Sequence, residues 1–131
     1  MFTSRHLVEW IEGRTESGAE VFNDRIPPTG RIIYVRMGSG PGYDLEGVQD
    51  NLTFTVECRG ADRNFDDAEY IAREVDDAIL RYGGDPYTFL DGTYMYFIGR
   101  TGGAPSELLV ADTAGRYAFT CNYYVTIATD L

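Results

Sequence analysis

Nucleophilic catalysis needs a hydroxyl or thiol held beside a base, and this chain has one imidazole to offer, His6. His6 falls in the first turn of a short predicted helix, and no serine or cysteine is tied to it by spacing, so a lone surface histidine is the expectation. The two thiols, Cys58 and Cys121, fall on the apolar side of predicted strands, where cysteine behaves as a small hydrophobe. They are expected to be buried and free, within touching range across the sheet. Two cysteines and one histidine do not make a four-ligand zinc site. All 11 bases are arginine, which removes lysine Schiff-base chemistry and the Walker A motif.

Two other stretches resemble ligand sites and fail on inspection. Asp62-Arg63-Asn64-Phe65-Asp66-Asp67 spaces its oxygens like the first half of a calcium loop. The position that must be glycine is Asp67, and the one that must be a bidentate glutamate is Arg73. Helix capping accounts for these acids instead. Gly38-Ser39-Gly40-Pro41-Gly42 follows a strand as a phosphate-binding turn does, yet no helix opens after it, and Asp44 and Glu46 stand where an anion is repelled. No catalytic, cofactor-binding or metal-ligating residue is assigned.

The elements that hold these residues are legible in the hydrophobic spacing. Thr3 to Gly13 places Leu7, Val8 and Ile11 on one side of a short helix, with Thr3 or Ser4 as its cap. A brief edge strand fits around Glu20 to Asn23, before the break at Pro27-Pro28. Arg31 to Met37 is β-branched and aromatic, with Ile33, Val35 and Met37 on one face. The glycine-rich run Gly38 to Gly47 then predicts a long mobile loop with no helix and no ladder. Asn51 to Arg59 alternates Leu52, Phe54, Val56 and Cys58 against Thr53, Thr55, Glu57 and Arg59. Asn64 caps a long helix whose stripe runs through Ala68, Ile71, Ala72, Val75, Ala78, Ile79 and Tyr82 and stops at Gly83-Gly84. Strands from about Thr93 to Arg100 and from Arg116 to Thr129 close the chain, with a second glycine-rich loop between them. Strands grouped around one strong helix predict an α+β fold: a mainly antiparallel, mixed β-sheet of about four to five strands with two helices packed on one face.

The length of 131 residues suits a single domain spanning 1–131, able to bury roughly two-thirds of its unfolded surface. With 21 acids against 11 bases the net charge is -10, which disfavours tight binding of nucleic acid by the whole domain. No apolar run reaches the roughly 20 residues that span a bilayer, and no charged and then apolar leader opens the chain. The expected setting is a reducing cytosol. Ten tyrosines and seven phenylalanines are the unusual feature, with Tyr34, Tyr94, Tyr96 and Tyr124 predicted opposite to core residues. Tyrosine and arginine together enrich interface centres, because both bring large area and a hydrogen-bonding tip.

The order of segments is itself informative. A short N-terminal helix is followed by a strand ending Tyr34-Val35-Arg36-Met37-Gly38, a glycine-rich loop and the strand Asn51-Leu52-Thr53-Phe54-Thr55-Val56-Glu57-Cys58. Then come a helix of the Ala68-Glu69-Tyr70-Ile71-Ala72-Arg73-Glu74-Val75 kind and the last strand Arg116-Tyr117-Ala118-Phe119-Thr120-Cys121-Asn122-Tyr123-Tyr124-Val125-Thr126-Ile127. Over most of its length the chain resembles the tail terminator or minor tail proteins of long-tailed bacteriophages. That resemblance implies a structural virion protein, not an enzyme and without a cofactor. It forms a ring, typically a hexamer, that caps the tail tube, ends tube polymerisation and offers a docking surface to the head and neck. Its implied partners are copies of itself, the major tail tube protein and a neck or head-completion protein. DNA passes through the lumen without specific binding, and carboxylates lining that lumen would repel phosphate. The implied location is the tail–neck junction of the virion, after assembly in the host cytoplasm, with no membrane involved. Predicted facing and loop position, not a family motif, single out Arg36, Tyr43, Tyr94, Tyr96, Arg100 and Tyr124 as interface residues. Two alternatives stand beside this reading: another head–tail connector or minor capsid ring protein, and a small ligand-binding or enzymatic α+β domain.

Overall fold

The computed structural model describes residues 2–38, 42–43, 49–108, 112 and 115–128, with the backbone alone at 42, 43, 49 and 50. Helix α1 (Ser4–Glu12) buries Leu7, Val8, Trp10 and Ile11, which recur at three and four residues and so share one side. Helix α2 (Phe65–Tyr82) starts where the Asn64 side chain accepts a hydrogen bond from the Asp67 N–H at 3.1 Å. It ends at Gly83, whose N–H donates to the Ile79 carbonyl. A Cβ on Gly83 would collide with the carbonyl oxygens of Ile79 and Ile98, so only glycine lets the helix end lie against the sheet here. Tyr82 departs from the predicted stripe and is 42% exposed.

Among the described residues eight strands form one sheet: β1 (Glu20–Phe22), β2 (Ile32–Met37), β3 (Gly42–Tyr43), β4 (Gln49–Arg59), β5 (Tyr87–Thr88), β6 (Tyr94–Arg100), β7 (Ser106–Glu107) and β8 (Ala118–Ala128). Six follow the order β1-β2-β4-β8-β6-β5, while β3 pairs with β4 and β7 with β8. Only β1 and β2 run parallel among the paired strands; the other pairings are antiparallel, so the sheet is mixed. The fold is α+β with two helices, as expected, but the strand count exceeds the predicted four to five. The brief edge strand expected around Glu20 to Asn23 is present as β1, and the surplus lies in β3, β5 and β7, strands of two residues, too short for alternation to announce them. One of these, β3, falls inside the run expected to hold no ladder; the rest of that loop mostly lies outside the described residues.

Register assigns every side chain to a face, because directly paired residues point the same way. Val21, Ile33, Val35, Phe54, Val56, Cys58, Phe119, Cys121, Tyr123, Val125, Ile98 and Met95 share one face and join the buried residues of both helices in one cluster. Each such aliphatic or aromatic side chain contributes about 1.5–3 kcal/mol on burial. Both helices therefore cover the same side. The other side carries Tyr34, Arg36, Thr55, Glu57, Thr120, Asn122, Tyr124 and Phe97, all half-buried or exposed.

Candidate interaction surface

The helix-free face is organised in rows across the strands. Tyr34, Glu57 and Thr120 form one row on β2, β4 and β8; Arg36, Thr55 and Asn122 form the next; Thr53, Tyr124 and Gly99 the one after. Thr55 Oγ1 donates to Asn122 Oδ1 at 2.8 Å, and Thr126 Oγ1 donates to Asn51 Oδ1 at 2.8 Å. Cross-strand bonds of this kind hold the hydroxyls and amides in fixed positions. Gly99 has its own role. A Cβ there would lie 3.0 Å from the Tyr124 ring, so glycine lets that ring lie down over β6, edge-on to Phe97 at 5.7 Å.

A register shift between Met95 and Phe97 marks a β-bulge at Tyr96. Tyr94 and Tyr96, two residues apart, share a side and meet ring to ring at 5.0 Å and 83°, and the extra residue turns Phe97 to the helix-free side as well. Phe97, one residue on, meets Tyr124. The bulge thus gathers aromatic rings that strict alternation would have split between two faces.

One corner of this face is closed by a clasp. Arg116 is 2% exposed and donates to the carbonyls of Gly30 at 2.9 Å and Pro27 at 2.7 Å and to Asp112 Oδ2 at 2.9 Å. Arg59 bridges the same Asp112 carboxylate to Glu57, whose Oε2 lies 2.7 Å from the Arg59 Nε. Burial pushes the Asp112 carboxyl up, but the Arg116 N–H and the two guanidiniums outweigh it and hold the group below its ordinary value. Glu57 and Arg59 therefore neutralise each other within the chain.

Of the six predicted interface residues, Arg36, Tyr94, Tyr96 and Tyr124 are exposed or half-buried, with Arg36 and Tyr124 on this face by register. Arg36 makes no ion pair among the described residues. Tyr43 is placed by its backbone in β3 opposite Asp50, and its side chain lies outside the described residues. Arg100 is turned the other way: it is level with Tyr123, and its Nε sits 3.6 Å from Asp76 on α2. The Tyr123 hydroxyl donates to the same carboxylate at 3.0 Å, and burial pushes that hydroxyl far above its ordinary pKa. Sequence reasoning missed Asp76, a buried acid on the helix stripe, whose only signal was an aspartate at a position facing the core.

The histidine also differs from expectation. His6 is not a lone surface residue. Its side chain is 11% exposed, stacked on Phe2 at 5.1 Å and edge-on to Phe89 at 4.8 Å. Nε2 lies 2.7 Å from Asp91 Oδ2, while Nδ1 accepts the Thr3 N–H at 3.0 Å, with Thr3 Oγ1 further off at 3.4 Å. This places a hydroxyl, an imidazole and a carboxylate in line, as a hydrolytic triad does. The acceptor lone pair is already taken by the Thr3 N–H, so the ring is a strut between the start of α1 and the turn before β6. The Thr93 N–H, and after it His6, holds the Asp91 carboxyl well below the usual carboxylate range.

Cys58 and Cys121 are both free and buried, on the helix-covered face, offset diagonally: Cys58 is opposite Phe119, and Cys121 opposite Val56. Burial raises both thiols, which keeps them protonated and unreactive at neutral pH. Among the described residues no group of three or more His, Cys, Asp or Glu side chains converges on a metal position, and no helix is long and apolar enough to cross a membrane. No known family model matches the chain, and no curated protein matches it.

Proposed function

We propose that this chain is a structural ring protein of a long-tailed phage, capping the tail tube, ending its polymerisation and presenting a surface to the neck. The observation that carries the reading is the helix-free sheet face: fixed rows of tyrosine, threonine, asparagine and arginine, of a composition suited to an interface centre. Segment order along the chain, set out above, supplies the particular assembly. Acidity agrees with it, since a ring that passes DNA functions better when its lumen repels phosphate. In this reading copies of the chain, the tube protein and a neck protein are the partners, and no bond is made or broken.

Electron microscopy of particles assembled without the protein tests it. Abnormally long tubes are the expected outcome. Tails of normal length, left unattached to heads, would instead make this a connector on the capsid side.

A further inference from the structure

Arg14, Arg31, Arg59, Arg100 and Arg116 are the buried or half-buried arginines of the described chain. All but one have carboxylates. Arg31 binds Asp67, Arg59 binds Glu57 and Asp112, Arg100 lies against Asp76, and Arg116 shares Asp112. Arg14 is the exception: among the described residues no carboxylate pairs with it, although the chain carries 21 acids against 11 bases. Its guanidinium carbon sits 4.2 Å from the centre of the Trp10 ring and 5.0 Å from that of Tyr87, and Nη1 donates to the Trp10 carbonyl at 3.0 Å. Two rings and a carbonyl hold the charge in place without neutralising it. Burial pulls the Arg14 pKa down, and Tyr87 and Tyr82 offset this only in part.

Arg14 opens on a cleft of about 430 Å³ between the chain just past α1 and the outer side of α2, a size that small-molecule sites take. Charge is sorted along it. At one end the Glu74 carboxylate accepts the N–H groups of Glu16 and Ser17, each at 3.1 Å, so that acid is bonded to backbone and Glu16 is fixed beside it. Arg73, next to Glu74, is drawn to Glu69 at 3.6 Å. Two turns further along α2 is the other end, where Arg14 stands near Tyr82 and Arg81 lines the same cleft, exposed and with no ion-pair partner among the described residues. Asp77 is the acid between the two ends. Tyr82, 42% exposed, and Ala78 give the arginine end an apolar wall.

From this we infer that the Arg14–Arg81 end of the cleft binds the oxyanion of a small organic ligand, a carboxylate or a phosphate monoester, whose ring lies along Tyr82. Guanidinium forks meet both kinds of oxyanion with paired, charge-assisted hydrogen bonds. Arg14 is already positioned by the rings beneath it, so little side-chain freedom is lost on binding. The net charge of -10 opposes any anion at long range, but that field is screened over roughly 8–10 Å at physiological salt, whereas the two guanidiniums act at hydrogen-bond distance. This site goes beyond the ring reading and does not depend on it, since the cleft lies on the helix side of the sheet, away from the helix-free face.

Trp10, the one tryptophan of the chain, lies under Arg14 and reports on it by fluorescence. Titrating the full chain with phenyl phosphate and with benzoate should give a saturable change in Trp10 emission, and phenol, which carries no oxyanion at neutral pH, should give none. Tighter binding of phenyl phosphate identifies a phosphate monoester as the ligand class; tighter binding of benzoate identifies a carboxylate. Arg81→Gln, at an exposed position, should weaken binding about tenfold with an unchanged unfolding midpoint. Arg14→Gln, followed by calorimetry because its Trp10 signal is altered, should weaken it at least as much. Asp77→Asn should tighten it, and Arg5→Gln, an exposed arginine outside the cleft, should leave it unchanged. The assignment is overturned by a titration with neither anion saturating below about 10 mM, by phenol matching the anions, by Arg81→Gln binding like the wild type, or by Arg5→Gln weakening binding as much as Arg81→Gln does.

Discussion

The two faces of the sheet are made from the same strands by the same alternation, yet they are held in different ways. The helix-covered face is apolar and continuous: Phe54 stacks on Tyr123 at 5.4 Å, and Val56, Cys58 and Val35 complete the layer beneath α1 and α2. The buried acid Asp76 has both a tyrosine and an arginine as partners. The helix-free face is held by bonds instead, threonine to asparagine across strands and the arginine clasp at one corner. The helix-covered face supplies most of the buried apolar side chains. The other displays a pattern of donors, acceptors and rings.

That contrast breaks first under truncation. Phe54→Ala is expected to destabilise the chain by about 3–5 kcal/mol, since it leaves a cavity in a dry layer. Phe97→Ala, on the opposite face, should cost less than about 1 kcal/mol. Denaturant unfolding of both variants measures the difference, and equal losses would mean the two faces are not distinct. Next comes the clasp, where Arg116→Met takes the guanidinium donor from the Pro27 and Gly30 carbonyls and one of its partners from the Asp112 carboxylate, and should cost about 3 kcal/mol. The unfolding midpoint reports it, and an unchanged midpoint would mean that the clasp adds nothing to stability.

A third effect depends on pH. Arg31 donates two 2.9 Å hydrogen bonds to Asp67 and so ties the start of α2 to the entry of β2. Mainly through those bonds, with a further one from the Ala61 N–H, the Asp67 carboxyl is held below its ordinary value of 3.8. A carboxyl depressed in the folded chain adds stability above its unfolded value, and the gain is lost as pH falls through the folded one. Acidifying from pH 5 to about pH 2 should therefore lower the urea midpoint. Arg31→Met should cost about 1 kcal/mol at neutral pH and flatten that acid limb. A limb of unchanged slope would remove Asp67 from the account.

The smallest stability effect belongs to the helix-free face itself. Arg36→Ser should shift the unfolding midpoint by no more than about 0.5 kcal/mol, because Arg36 is exposed and unpaired within the described chain. Self-association measured by sedimentation should nonetheless weaken. A large stability loss here would show that the face is structural after all.

Most of the architecture was legible because periodicity is local. The spacing of Leu7, Val8 and Ile11, the stripe from Ala68 to Ile79 and the alternation in β4 and β8 each report a buried side over a few residues. Thr3, Asn64 and Gly83 mark helix ends by chemistry that acts over three or four positions. Strands of two residues carry no such signal, and the sheet is therefore wider than expected. Arg36 and Tyr124 reached the helix-free face as alternation required, whereas Arg100 was drawn to Asp76, a partner distant in sequence. His6 was misjudged for the same reason, since Asp91 is 85 positions away.

What the sequence determined alone, then, is which residues are apolar, at what period, and where the chain must turn, because those choices depend on neighbours within a helical turn or a pleat. Tertiary structure decided which charges meet. Arg116 with Pro27 and Gly30, Arg59 with Asp112, and His6 with Asp91 pair across long loops, and no local rule encodes a contact whose partners come together only when strands and helices pack. The bulge at Tyr96 belongs to the same class: Phe97 meets Tyr124 because β6 pairs with β8 one residue out of step.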